Sequence, residues 1–179
     1  MAERFDPVAD RISMCKPMST PRFALASSVL KGSIICIGGF DGQKHLASSE
    51  RLDPRAGRWH DIGEMRKPRA NFSACSISEH ELIAVGGYSG EECVAECEIL
   101  DMRNGKWRPG SPLTQPRAFG AAVGSGQVYA IGGLGQDVSM YLDTVELYDA
   151  QLDAWRELDL CATDPSCFKR AFFAAVARA

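Results

Sequence analysis

Three stretches decide the fold: Ile34-Ile35-Cys36-Ile37-Gly38-Gly39, Leu82-Ile83-Ala84-Val85-Gly86-Gly87 and Val128-Tyr129-Ala130-Ile131-Gly132-Gly133. Each is a short apolar run closed by a glycine pair, and the pairs lie 48 and 46 residues apart. Trp59, Trp107 and Trp155 keep the same beat at intervals of 48. Pro21-Arg22, Pro68-Arg69 and Pro116-Arg117 recur with them, as do Glu50, Glu98 and Glu146. A fixed period of this length marks an array of supersecondary units, each too small to bury its apolar face alone.

Outward from the glycines, every period divides into four short strand-like runs. In the second copy these are residues 69–78, 81–87, 94–101 and 106–113. The joints are turn signals such as Ser78-Glu79-His80 and Asn104-Gly105, the latter suited to a two-residue hairpin. No segment sustains a 3.6-residue apolar period, so very little helix is expected. Four antiparallel strands per unit, with units side by side, is the pattern of propeller blades.

The remaining composition is exclusionary. Of 179 residues, 45% are hydrophobic and 24% charged, with a net charge of −3. That is ordinary globular composition, without the concentrated Lys and Arg of a nucleic-acid surface or a polybasic membrane anchor. No apolar run approaches the roughly 18–20 residues of a membrane helix, and Met1-Ala2-Glu3-Arg4-Phe5-Asp6-Pro7 lacks a signal-peptide core. The seven cysteines form no C-x-x-C pair, and His45, His60 and His80 are dispersed. Neither pattern makes a metal site. Reduced thiols in a cytoplasmic or nuclear chain are the expectation, with Cys93 or Cys161 as the candidates for a redox-sensing thiol. Neither G-x-S-x-G nor a Walker lysine occurs, and Gly133-Leu134-Gly135-Gln136-Asp137-Val138 lacks the third glycine and following helix of a phosphate loop. The chain is therefore expected to be no enzyme, with no cofactor and no catalytic or metal-binding residue.

The glycine pair after an apolar strand, the downstream Glu, the hydrophobic-Asp turn at Leu52-Asp53-Pro54, Leu100-Asp101-Met102 and Tyr148-Asp149-Ala150, and the Trp some 20 residues past the glycines together resemble the Kelch repeat. The family's usual Tyr before the Asp is Leu in two of these copies. The resemblance spans essentially the whole chain and implies an all-β Kelch-type propeller, in rings of about six blades. It also implies a non-catalytic protein-binding role, most often as the substrate-recognition region of BTB–Kelch adaptors for cullin ubiquitin ligases. Such a chain would read a peptide or degron segment, while cullin engagement would need a BTB region absent from these residues. Actin or cytoskeletal binding is the alternative within the family, and a Kelch-like copper oxidase the remote one.

On this register the sequence divides into the outer two strands of a blade (1–20), three full four-stranded antiparallel blades (21–67, 68–115 and 116–168) and one opening strand (169–179). Ile12 stands where a Trp would, and residues 170–176 align with 117–123 as a first strand. The reading is a partial ring, about 15 strands in all, whose exposed inter-blade surface is expected to favour self-association.

Within one chain, what recurs is scaffold and what varies is specificity. Gly38, Gly39, Gly86, Gly87, Gly132 and Gly133 admit close backbone packing or positive φ. The tryptophans are expected to lie between blades, with each indole N–H on an acceptor. Arg22, Arg69 and Arg117 in register with the glutamates read as buried ion pairs or, alternatively, as ligand contacts. In a meander, loops 40–45, 88–92 and 134–139 leave the same face as the blade linkers 17–22, 65–69, 113–117 and 158–169. Two intervals on that face are lengthened. Gly133 to Glu146 is 13 residues against 11 in the other copies, and Trp155 to Arg170 is 15 against 10. Variable loops on a rigid scaffold carry recognition. Phe40, Tyr88, Leu134, Asn71 and Phe119 are the candidate contacts, with the three arginines secondary.

Overall fold

The computed structural model of the chain describes residues 2–124, 127–136 and 140–158. The expected strand over 170–176, linker 159–169 and loop tip 137–139 lie outside the described residues.

The chain starts with a hairpin, β1 (Ala2–Asp6) and β2 (Arg11–Cys15). Three four-stranded antiparallel meanders follow. The first blade is β3 (Ala26–Leu30), β4 (Ser33–Ile37), β5 (Ser48–Asp53) and β6 (Arg58–Glu64). The second is β7 (Ser73–Ser76), β8 (Glu81–Val85), β9 (Cys97–Asp101) and β10 (Lys106–Gly110). The third is β11 (Ala121–Gly124), β12 (Val128–Ile131), β13 (Val145–Asp149) and β14 (Ala154–Leu158). No helix occurs among the described residues. Ile12 faces Phe5 in the β1–β2 hairpin as Trp59 faces Leu52, Trp107 faces Leu100 and Trp155 faces Tyr148. The hairpin's Phe5 and Ile12 are 57% and 66% exposed.

The apolar run of the second copy is continuous because its strand is covered on both faces. On β8, Leu82 and Ala84 join Leu30, Ile35, Ile37, Met65, Phe72 and Leu100 in the core between the first two blades. Ile83 and Val85 point the other way, into the core with Cys97, Ile99, Leu113, Val128, Ala130 and Tyr148. A strand alternating between two dry interfaces has no solvent side on which to place polar residues.

The first strand of each blade is shorter than the run of 69–78 implied, because a kink interrupts it. Ala24, Asn71 and Phe119, at matching positions two residues past the recurrent arginines, are left-handed with φ of 53°, 52° and 57°. The kink redirects the backbone sideways: Asn71 N–H donates to Ala24 O at 2.9 Å and Phe119 N–H to Asn71 O at 2.8 Å. A main-chain belt thus runs from blade to blade. Left-handed conformation costs an L-residue about 1–2 kcal/mol, a strain that satisfied inter-blade hydrogen bonds hold in place.

The outer turns also differ from a two-residue hairpin. Lys106 pairs with Asp101, so β9 and β10 are joined by four residues ending at Asn104-Gly105. The Asp101 carboxylate accepts the Arg103 N–H, and its carbonyl accepts Gly105 N–H. The same aspartate-led turn recurs at Asp6, Asp53 and Asp149. The aspartate side chain caps the loop locally, which makes the longer turn competitive with the tight one.

Gly86 shows why the paired glycines recur. With φ +64°, a Cβ there would lie 2.4 Å from Arg117 O of the next blade. At Gly32 (φ +71°), nothing lies within 4 Å of a Cβ. Gly32→Ala is expected to cost only the backbone strain, about 1–2 kcal/mol. Gly86→Ala adds a main-chain collision and should cost about 2–5 kcal/mol. Urea-unfolding midpoints of the two variants check the contrast, and equal losses would contradict it.

Candidate binding face

The loop face is built on one buried polar device, repeated in each blade. Arg22 Nη1 donates to Gly38 O and Ser48 O, and its Nη2 donates to Glu50 Oε1 at 2.8 Å. Arg69 repeats this with Gly86 O, Glu96 O and Glu98, and Arg117 with Gly132 O, Thr144 O and Glu146. The two carbonyls are the stems of the loop between the second and third strands. Each guanidinium therefore draws that loop's neck shut. The paired glutamate then receives the linker that enters the blade: Ser19 and Thr20 N–H on Glu50, Arg66 and Lys67 N–H on Glu98, and Thr114 N–H on Glu146. One ion pair fixes both sets of loops on this face.

The three arginines, expected as secondary contacts, are turned inward; the Arg69 side chain has no exposed surface. Their Nη groups donate to the stem carbonyls and the paired carboxylate, so they position the loops, while Arg22 Nε and Arg117 Nε are buried without an acceptor among the described residues. The glycine pairs and glutamates stand with them in the scaffold. Trp59 Nε1 donates to Lys16 O at 2.9 Å and Trp155 Nε1 to Ser111 O at 3.1 Å, each reaching the preceding sheet. Trp107 departs from the expectation: its Nε1 is buried without an acceptor among the described residues. The strand beside it in the preceding blade, β6, runs on to Glu64 through Gly63 at φ +96°. All three rings are only partly buried.

Above the stems, the loops share a three-position frame of backbone bridges. Phe23 bridges Phe40, which bridges His45. The same frame holds Ala70, Tyr88 and Cys93, then Ala118, Leu134 and Tyr141. Leu46, Val94 and Leu142 close it, each donating its N–H to the second glycine of the pair at 2.8, 2.8 and 2.9 Å. The longer third loop therefore keeps the stem of the shorter two, and its extra residues fall at the tip.

The frame brings Phe40 and Tyr88 together through residues that sequence reasoning missed. Phe23 meets Phe40 edge-on at 5.4 Å, Phe40 meets His45 at 5.0 Å, and His45 meets Tyr88 at 5.8 Å. The row crosses from the first blade to the second. Gly90 makes the crossing possible: a Cβ there would sit 2.8 Å from His45 Nδ1. Phe23 is 60% exposed and, with Phe40, Pro17, Met18, Pro21, Arg22 and Asp41, lines a cleft of about 270 Å³. Gln43 and Lys44 N–H groups hold the Asp41 carboxyl below its usual range. Leu134 lies beside Tyr141 in the third blade, where Met140 and Tyr141 are 60% and 56% exposed. Asn71 and Phe119 sit apart from these loop positions, half-buried at the inner kink, where their N–H groups serve the inter-blade belt. The missed residues carry a faint signal: Phe23 directly follows a recurrent arginine, and His45 lies six residues past its glycine pair, a step that becomes eight at Tyr141 in the longer loop.

The thiols are structural. Cys36, Cys75, Cys93 and Cys97 are buried and unpaired, and burial pushes Cys36 up to about 11 and Cys75 and Cys97 up to about 12. Cys93 is raised for the same reason, which disfavours its thiolate. Cys161 lies outside the described residues. Among those residues no group of three or more His, Cys, Asp or Glu is arranged to hold a metal ion.

Three meandering four-stranded blades, stapled by repeated Arg–Glu pairs and crowned by variable loops, define a β-propeller repeat protein. The Kelch motif matches residues 21–66, 68–114 and 116–159, and the chain belongs to the Kelch-repeat family. It is 33% identical to human Kelch-like protein 4 over 75 residues, which is 42% of this chain and 10% of that protein. It is 32% identical to an F-box/kelch-repeat protein of Arabidopsis thaliana over 75 residues, 41% of this chain and 20% of the relative. With the mouse influenza virus NS1A-binding protein homolog it shares 35% over 60 residues, 32% of this chain and 9% of the other. The chain thus matches a fifth or less of the length of these relatives. Kelch repeats are in general protein-interaction modules rather than catalysts.

Burial alone would push the Glu50 carboxyl up; the Ser19 and Thr20 N–H groups and the Arg22 guanidinium outweigh it and hold the group below its ordinary 4.5. A carboxyl whose folded pKa lies below its unfolded one adds stability that is complete above the unfolded value and lost as pH falls through the folded one. Unfolding midpoints should therefore hold from neutral pH to about 5 and fall below it. Glu50→Gln should flatten that acid limb and, by stranding Arg22, cost about 3–5 kcal/mol at pH 7. An unchanged acid limb in the variant would remove Glu50 from this role.

Proposed function

We propose that the chain is a non-catalytic recognition module that captures a short peptide segment on its loop face, anchored by an apolar side chain. The supporting observation is the Phe23–Phe40–His45–Tyr88 row beside the 270 Å³ cleft, exposed at Phe23 and half-buried at the other three rings. Aromatic groups on rigid stems contribute large contact area at little entropic cost, the usual make-up of an energetic hot spot. The stems are held here by the Arg–Glu pairs beneath them, which are buried and bonded to both sides of each loop neck.

The larger setting we favour is substrate recognition for a cullin-type ubiquitin ligase, with the ligase contact made by a region outside these residues. Similarity to Kelch-like protein 4 and to an F-box/kelch-repeat protein supports that setting. A reducing compartment, cytoplasmic or nuclear, agrees with the buried, unpaired thiols.

The test is proximity capture from cells expressing the tagged chain, compared with Phe40→Ala and Tyr88→Ala variants whose unfolding midpoints match the parent. Each truncation should cost about 2 kcal/mol of binding, roughly thirtyfold. If correctly folded variants retain every partner, the loop face is not the recognition surface.

A further inference from the structure

The opposite face carries a second constellation that the loop-face reading does not use. The turns between the first and second strands, and between the third and fourth, all emerge there. At the junction of the first two blades they enclose a cleft of about 200 Å³ lined by Leu30, Lys31, Arg51, His80, Met102 and Arg103. Four of these six side chains are basic and none is a carboxylate.

The basic groups are set in place rather than splayed at random. Lys31 Nζ lies 3.3 Å from His80 Nε2, a contact in which the ammonium can only donate. Arg51 Nε donates to Ser33 Oγ at 3.0 Å, which fixes the guanidinium plane while its two Nη groups have no protein acceptor among the described residues. Arg103 is held at the rim by a two-pronged contact with the Asp101 carboxylate. The walls between these groups are apolar: Leu30 is buried in the inter-blade core, and Met102 packs against that core. The backbone beneath is pinned by Met102 N–H donating to His80 O at 2.8 Å.

We infer that this cleft is an anion-binding site for a phosphate monoester carried on an apolar stem, such as an aryl phosphate. Guanidinium and ammonium donors converging from two blades match the several acceptor oxygens of a phosphate. The Leu30 and Met102 walls receive the stem. Whole-ligand pockets run to roughly 300–1,000 Å³, so the smaller cleft takes one head group and its stem. The site depends on the junction itself, since Lys31 and Arg51 belong to one blade and His80 and Arg103 to the next. It is independent of the loop-face reading and lies on the other side of the molecule.

The test is NMR titration of the full chain, following the His80 ring, with three probes: phenyl phosphate, inorganic phosphate, and a phosphotyrosine peptide beside its unphosphorylated form. Saturable shifts at His80 are expected with phenyl phosphate and the phosphopeptide, weaker ones with inorganic phosphate, and none with the unphosphorylated peptide. Losing one charge-assisted contact should weaken binding about tenfold in Lys31→Gln, whose side chain is exposed at a turn and carries no packing. Arg51→Gln, with its unfolding midpoint measured alongside, should do the same. Absence of saturation with every probe, or parental affinity in both folded variants, would overturn the site. Equal affinity for inorganic and phenyl phosphate would overturn the apolar-stem assignment. Phosphopeptide binding without phenyl phosphate binding would show that peptide backbone, and not the cleft, supplies the affinity.

Discussion

The Arg–Glu pair buried at the base of each blade is the interaction on which the rest of the binding face depends. Removing two charges from water is expensive, and a pair that makes one contact rarely recovers the cost. These pairs make many. Each guanidinium closes the neck of one loop through two carbonyls, and each carboxylate holds the linker that brings the chain into the blade. The pair therefore sets the register among three backbone segments at the edge of the apolar core. A hydrophobic replacement of equal volume could fill the space but could not accept the linker N–H groups or donate to the loop stems. The charge is retained for geometry more than for net stability.

Rigidity below is what allows variety above. The bond that closes each loop onto its second glycine is the same in all three blades, although the third loop is two residues longer than the others. Length and chemistry change at the tips without disturbing the stems. The inner kink works in the same way. Ala24, Asn71 and Phe119 are chemically unrelated, yet share a left-handed backbone because the belt uses their main chain. Side-chain identity at such a position is free to vary as long as φ is kept.

This separation explains what was legible in the residues and what was not. The glycine pairs and the double-faced apolar strands announce themselves, because backbone collision and two-sided burial each restrict residue type. The Arg–Glu register was legible for the same reason. The kinks were not: neither alanine nor phenylalanine signals positive φ, so residues 69–78 read as one strand. Asn104-Gly105 read as a tight turn because the capping aspartate three residues upstream competes silently. His45 and Phe23 were missed since Phe23 meets Phe40 across 17 residues of chain and His45 meets Tyr88 across 43, contacts that depend on how loops and blades are placed.

The two faces differ in how they can be conserved as geometry. The loop-face frame sits over stems that each blade closes for itself. The aromatic row crosses a junction only where His45 lies against Gly90 and Tyr88. The cationic cleft has no existence inside a single blade, because its basic groups come in equal number from both. Its width is set by the dry core beneath, where Leu30, Leu82 and Leu100 fix how closely the first two blades approach. A change in that packing would move Lys31 and Arg51 relative to His80 and Arg103 while leaving each turn intact. The loop stems, in contrast, would keep their Arg–Glu closure. Inter-blade packing thus governs the turn face, and occupancy of the cleft would in turn oppose separation of the first two blades.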